Sequence, residues 1–254
     1  MTCLTGQKAM ITGGGAGIGR ATAIALAKNG ADIAIFDLDS DAAEETCSQV
    51  RAQGRKAVLC QGSVSNPDDV TAAFSRMDDV LGPLSIMVNN AGISGNKPTL
   101  ELTDADWERN IGVNLNGVFY CSRAAGRRMK DARSGVIINV GSIYSLVAPP
   151  NRLHYCAPKA AVEMMTRALA VEWAQYGIRV NGVAPGYVQT QLLDELVEQG
   201  RVDLDGILRR TPQGALPVPD EIADAIMYLC DPRSRAITGH MLPVDGGWTA
   251  YGFI

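Results

Sequence analysis

Short apolar runs of strand character alternate with helical runs along this 254-residue chain, and the first strand-to-helix junction holds five glycines in seven positions. The strand-like runs are 8–12, 32–37, 56–61, 84–89, 136–140, 179–184 and 241–244. Helical patterns fall at roughly 17–29, 41–53, 67–81, 104–130, 155–176 and 219–230. Parallel strands need a crossover, and a helix supplies it, so this alternation predicts an α/β fold: a parallel sheet with helices on both faces. A chain of this length suits one domain over 1–254, with no internal repeat and no linker. One stretch, 190–213, breaks the rhythm. It is expected to be either a lid over a site or an ordinary helical excursion.

The glycines lie in Thr12-Gly13-Gly14-Gly15-Ala16-Gly17-Ile18-Gly19, between the first strand and the first helix. Gly13, Gly15, Gly17 and Gly19 let the backbone turn tightly and approach a pyrophosphate, while Ile18 and its neighbours present free N–H groups at a helix N-terminus. A merely tight connection would not need so entropically costly a segment. Asp37 closes the second strand, eighteen residues after Gly19. A carboxylate there accepts from the hydroxyls of an adenosine ribose and repels a 2′-phosphate. Neither Leu38 nor Ala16 offers a cation, so NAD is expected over NADP. The competing role for Asp37, capping the next helix, is already open to Asp39, Ser40 and Asp41.

Tyr155 and Lys159 stand four residues apart, with Ser142 thirteen positions upstream of the tyrosine. On a helix that spacing holds an ammonium beside a phenol. A free phenol titrates near ~10, and bringing it to neutrality takes roughly 4 kcal/mol. One positive charge ~5 Å away at an effective dielectric of ~20 supplies about 3. The lysine alone is thus expected to go most of the way, although such a pair also recurs by chance in long helices.

Composition narrows the function further. The net charge is −4, and no basic cluster resembles a nucleic-acid footprint; Arg127-Arg128-Met129-Lys130 reads as the cationic end of a helix. No apolar run reaches membrane-spanning length and no leader pattern opens the chain, so no membrane partner and a cytoplasmic location are expected. The six cysteines form no C-x-x-C pair and there are two histidines, His154 and His240, so neither a metal site nor a disulfide framework is expected. Cys156 reads as a packed thiol.

Thr12–Gly19, Ser142 and Tyr155-x-x-x-Lys159 together resemble the short-chain dehydrogenase/reductase family. So do Asn89-Asn90-Ala91-Gly92, Asn114, Pro185-Gly186 with Thr190, and the ending from Gly239 through Asp245-Gly246-Gly247. The resemblance covers essentially the whole chain. It implies a Rossmann fold, a doubly wound seven-stranded parallel sheet, commonly assembled as a homotetramer. It implies a secondary alcohol and a ketone interconverted by hydride transfer. Tyr155 would exchange the proton, Ser142 would stabilise the substrate oxygen, Lys159 would grip the nicotinamide ribose, and Asn114 would hold a proton-relay water. It further implies that Asn90, Ala91 and Gly92 floor the cofactor site and that Pro185, Gly186, Val188 and Thr190 meet the nicotinamide. Asn90 can equally tie strands together, and Thr190 can cap a helix. Gly112, Asn114, Asn116 and Gly117 are poor helix formers in one helical stretch, a local conflict expected at functional sites.

Two departures from the family pattern matter. Ser63-Val64 stands where relatives carry Asp-Val, which weakens the expected contact to adenine. Pro158 precedes Lys159, which predicts a helix starting close to Tyr155 so that the proline falls in its first turn. Substrate lining is expected from 93–97, 143–154, 187–193 and the lid, with Ser94, Tyr144, Arg152 and Tyr187 as candidates and Asn151 and His154 as polar alternatives. These suit a polyol, a sugar or a sugar acid. A 3-oxoacyl-thioester (acyl carrier protein) reductase is the rival enzyme, and a non-catalytic dinucleotide-binding protein is the rival of another class. The apolar helices at 104–130 and 155–176 predict a homo-oligomer.

Overall fold

A computed structural model describes residues 4–198, 200 and 202–252. Seven strands form one parallel sheet: β1 (Lys8–Thr12), β2 (Asp32–Asp37), β3 (Ala57–Gln61), β4 (Ile86–Asn89), β5 (Gly135–Val140), β6 (Ile178–Pro185) and β7 (Met241–Val244), in the order β3-β2-β1-β4-β5-β6-β7. β1 pairs with β2 on one side (Thr12 opposite Phe36) and with β4 on the other (Ile11 opposite Val88). The strand order reverses between β1 and β4, and a crevice opens beyond the carboxyl ends of the strands at such a point.

The helices are α1 (Gly17–Lys28), α2 (Ser40–Ala52), α3 (Pro67–Leu81), α4 (Asp104–Ile111), α5 (Gly117–Ala132), α6 (Leu153–Trp173), α7 (Gln191–Glu198), α8 (Leu204–Arg210) and α9 (Pro219–Cys230). Alternation along the strands assigns them to faces. Ile11, Ile33, Ile35 and Val88 pack with α1, α2 and α9 through Leu26, Val50 and Ile226. Met10, Phe36, Met87 and Val180 point the other way, onto α3 and α5 through Phe74, Met77 and Met129. A buried polar chain crosses beneath the future site: Asn89 Nδ2 donates to Ser122 Oγ (2.9 Å) and Asn139 Oδ1 (2.8 Å), and Asn139 Nδ2 donates to Thr166 Oγ1 (2.9 Å).

The helical reading of 104–130 needs correction. The segment is interrupted at Gly112–Asn116 by a π turn, where the backbone ladder slips by one residue. The second correction concerns Pro158. α6 starts at Leu153, close to Tyr155 as expected, but early enough that the proline falls past the first turn, inside the helix, and withdraws the N–H that the His154 carbonyl would receive. The 190–213 excursion is α7 and α8, with residues 199 and 201 outside the described residues. Within Arg127-Arg128-Met129-Lys130, Lys130 sits in the last turn of α5, but Arg128 pairs with Asp78 (2.7 Å) and stacks on Phe74. Cys3 lies outside the described residues.

Candidate active site

The glycine turn joins β1 to α1. Ala16 offers α1 no side-chain cap and its first turn holds no acidic residue, so the N–H groups at that helix end are left for an anion. A Cβ on Gly19 would lie 2.1 Å from the Gly13 carbonyl oxygen, and one on Gly13, at φ +63, would lie 2.9 Å from Ala91 Cα. This cradle fits a dinucleotide pyrophosphate and tolerates no side chain there. Asp37 Oδ2 accepts the Gly15 N–H (2.8 Å) and Oδ1 the Asp39 N–H (3.0 Å), leaving a second lone pair on each oxygen. Asp39, not Asp37, caps α2. Arg20 is spent on Glu45 (2.9 Å) and on the Gly15 carbonyl, to which Nε and Nη2 both donate.

A cavity of about 220 Å³ continues past the turn, lined by Gly13, Asp37, Leu38, Ser63, Val64 and Ala91 among others. Ser63 faces it, with its hydroxyl shared with Ser65 (2.8 Å) and its N–H held by Asp69 (2.8 Å). Asn90 does tie strands: its Nδ2 donates to the Thr12 and Gly13 carbonyls (3.0 and 2.9 Å), and its N–H reaches Thr12 Oγ1 (3.0 Å). Thr190 does cap: its hydroxyl accepts the Leu193 N–H at 3.3 Å.

Ser142, Tyr155 and Lys159 converge at the carboxyl end of β5. Ser142 opens a single 3₁₀ turn and its Oγ accepts the Tyr144 N–H (3.1 Å). Lys159 is 4% exposed and donates from Nζ to the Val140 carbonyl at 2.8 Å. Asn114 is buried in the π turn. Its Oδ1 accepts the Ile93 N–H (3.0 Å) and its Nδ2 donates to the Ile93 carbonyl (2.8 Å), so the side chain clamps the strand exit. The electrostatics overturn one expectation. Burial raises the Tyr155 phenol above its ordinary value, opposed chiefly by the Ser142 hydrogen bond and then by the charge of Arg152. Burial also draws the Lys159 ammonium down to about 8. The lysine does not by itself make this phenol acidic, because both groups are desolvated together.

Ser142, Tyr155 and Lys159 line a pocket of about 350 Å³, and Asn114 lies outside its lining. All four substrate candidates, Ser94, Tyr144, Arg152 and Tyr187, line it, as do Ile18, Asn90, Gly92, Pro185, Gly186, Val188 and Thr190. Arg152 Nη1 donates to Ser94 Oγ (2.8 Å), and the Tyr144 and Tyr187 hydroxyls meet at 2.6 Å. Asn151 and His154 are not brought in: Asn151 is exposed, and His154 is buried against Gly95 instead. Trp248 escaped sequence reasoning. It packs edge-on against Tyr144 at 6.0 Å and carries Arg210 of α8 over its ring at 4.0 Å. An aromatic just past the Gly246-Gly247 signature was its one signal.

A family model described as enoyl-(acyl carrier protein) reductase matches residues 13–249. The chain is 39% identical to galactitol 2-dehydrogenase of Rhizobium johnstonii, with 98% of this chain and 97% of that one covered. It belongs to the short-chain dehydrogenase/reductase family. A second relative, the 5-keto-D-gluconate 5-reductase of Escherichia coli K12, is 36% identical over 96% of each chain. The crystal structure of a short-chain dehydrogenase/reductase from Mycobacterium marinum superposes with a TM-score of 0.93 at 34% identity, covering 98% of both chains. As a member of this family the protein is an oxidoreductase that acts on CH–OH groups with a nicotinamide dinucleotide. Among the described residues no group of three or more His, Cys, Asp or Glu is arranged to hold a metal, and no helix is long and apolar enough to cross a membrane.

Proposed function

We propose that this dehydrogenase prefers NAD and oxidises a secondary alcohol of a polyol, sugar or sugar acid, with Tyr155 handling the proton. The observation that carries this reading is the meeting of Ser142, Tyr155 and Lys159 in one pocket that reaches Ile18 of the glycine turn. The cradle formed by Gly13, Gly15, Gly17, Ile18 and Gly19 would hold the pyrophosphate. Asp37 would take the adenosine ribose, with Ser63 and Val64 beside the adenine. Lys159 would take the nicotinamide ribose, Asn90, Ala91 and Gly92 would floor the ring, and Pro185, Gly186, Val188 and Thr190 would meet its carboxamide edge. A bound nicotinamide supplies the hydride acceptor.

Ser142 accepts the Tyr144 N–H through a lone pair, and its O–H would turn to the substrate oxygen. Tyr155 is a neutral phenol in this pocket, so it would receive the alcohol proton once the positive charge of a bound oxidised nicotinamide draws it down. Lys159 and Asn114 would pass it on toward solvent. The NAD preference is supported by Asp37 and by the full commitment of Arg20 elsewhere. Galactitol and 5-ketogluconate, the substrates in the names of the two relatives, support the polyhydroxylated class. A 3-oxoacyl-[acyl-carrier-protein] reductase of Synechocystis, 36% identical over 99% of this chain, favours a second reading, a 3-oxoacyl-thioester reductase.

The test is Tyr155→Phe against a panel of polyols, sugars, sugar acids and 3-oxoacyl thioesters with both dinucleotides. Loss of about 10²–10⁴-fold in turnover is expected, with NAD binding kept. Turnover at the parent rate removes the proton role, NADP bound as tightly as NAD removes the cofactor preference, and activity confined to thioesters favours the second reading.

A further inference from the structure

Among the described residues the pocket carries two cationic side chains, Lys159 and Arg152, and neither an aspartate nor a glutamate lines it. Lys159 spends one donor on the Val140 carbonyl, and on the reading above its others would go to the nicotinamide ribose. Arg152 has no such second role. Of its five N–H donors, the structure gives one a partner, the Ser94 hydroxyl, and no ion pair among the described residues includes it. Arg20, Arg55 and Arg128, by contrast, each hold a carboxylate, at 2.9, 2.7 and 2.7 Å.

The guanidinium is also placed. Ser94 holds one edge and the Tyr144 ring lies 5.9 Å from its centre. Its backbone is fixed to the reacting group, because the Arg152 carbonyl accepts the N–H of Tyr155 (3.0 Å) and of Cys156 (2.8 Å) at the start of α6. Its charge is felt by both the Tyr155 and Tyr144 phenols. A planar, half-buried fork with open donors matches a carboxylate edge-on. A neutral polyol would leave those donors facing hydroxyls and the charge uncompensated.

We propose that Arg152 is an anion anchor, so that the preferred substrates are hydroxy acids and their oxo-acid counterparts, bound by the carboxylate with the reacting hydroxyl at Ser142 and Tyr155. This rests on the alcohol-oxidoreductase reading above and narrows its substrate class. The carboxylate is a spectator. The carbinol C–H leaves as hydride to the nicotinamide and the O–H proton goes to Tyr155.

Matched pairs test it: D-gluconate against D-glucitol and D-galactonate against galactitol, with NAD, for the parent, R152Q and R152K. The acid is expected to exceed its neutral partner in kcat/KM by on the order of ten- to a hundredfold, the worth of a charge-assisted hydrogen-bond pair. R152Q is expected to erase that ratio mainly through KM, with R152K in between. A neutral partner that matches or beats its acid in the parent overturns the anchor, as does an R152Q effect equal on both members of a pair. Titration calorimetry of D-gluconate into the protein with NAD separates the two readings where nothing turns over. Binding weakened at least tenfold in R152Q keeps the anchor and sinks the alcohol chemistry for this class, whereas binding indifferent to R152Q sinks the anchor.

Discussion

Gly19→Ala sets two effects of opposite sign against each other. Gly19 lies in the first turn of α1, where alanine is the better helix former by about 1 kcal/mol. The added Cβ, however, would stand 2.1 Å from the Gly13 carbonyl oxygen and 2.6 Å from Asn90 Nδ2, both well short of the 3.4 Å at which ordinary contact begins and the first by more than an ångström. The obstacle is backbone, and it is pinned: the Gly13 N–H donates to Phe36 O at 2.9 Å and the Gly13 carbonyl accepts from Asn90. Relief requires the turn to move and the two Asn90 bonds to break. Overpacking costs about 1–3 kcal/mol, and each lost bond about 1. The clash wins, with a net loss of about 2–4 kcal/mol, or a fall in Tm of about 5 °C or more for a chain of this size. Differential scanning fluorimetry reads the fall, and quenching of intrinsic fluorescence reads the expected loss of NAD affinity. A variant with an unchanged or raised Tm that still binds NAD normally would refute the account of the cradle.

Two further outcomes are expected. Burial lowers Lys159 from 10.5 to about 8 in the folded protein. Below pH 8 both states are charged and the folded protein bears the full penalty, about 3 kcal/mol. Between about 8 and 10.5 the folded protein has released the proton and the unfolded chain has not, so stability relative to Lys159→Met rises with pH through that window and then levels off; parallel denaturation curves at pH 7 and 10 would contradict this. Phe119 on α5 and Met164 and Val171 on α6 are exposed, Val171 by 82%, which supports a homo-oligomer and, by family likeness, a tetramer. Light scattering at micromolar concentration checks it, and the mass of one chain would exclude it.

Much of this was legible because the signals are local and periodic. The seven strands fall within two residues of their expected starts, since each is a short apolar run whose neighbours must be helices. The meeting of Ser142, Tyr155 and Lys159 was legible because Tyr155-x-x-x-Lys159 and Ser142 have fixed spacings that the fold converts into proximity. The π turn was visible only as a conflict, Gly112, Asn114, Asn116 and Gly117 together, because propensity measures how poorly a helix forms and not which ladder replaces it. The pKa directions of Tyr155 and Lys159 were not legible at all. Spacing gives the attraction between the two groups, but the desolvation that outweighs it depends on the strands and loops packed around them. Trp248 lay hidden for the same reason: it reaches Tyr144 only through tertiary contact across about a hundred residues.

The pattern of helix caps carries the same logic into the site. α2, α3, α4 and α8 each start with a side chain, Asp39, Asn66, Thr103 and Asp203, that accepts the first N–H groups, and Glu221 closes back onto α9. α1 and α6 start with Ala16 and Arg152 and have no such cap. A missing cap costs about 1 kcal/mol; α5 runs on from the π turn and has no free N-terminus to cap, so the uncapped starts of α1 and α6 ask for a reason. The opening turns of these two helices supply Ile18, Arg152 and Tyr155 to the same pocket. A capping oxygen at position 16 would take the N–H groups that a pyrophosphate needs. A short capping side chain at position 152 would leave no cation where Ser94 and Tyr144 now hold one. The π turn and Pro158 lie in the same region, each removing a helical hydrogen bond close to Asn114 or Lys159. Local rules are thus broken where the pocket is built and kept elsewhere, as expected when stability is given up for a binding surface.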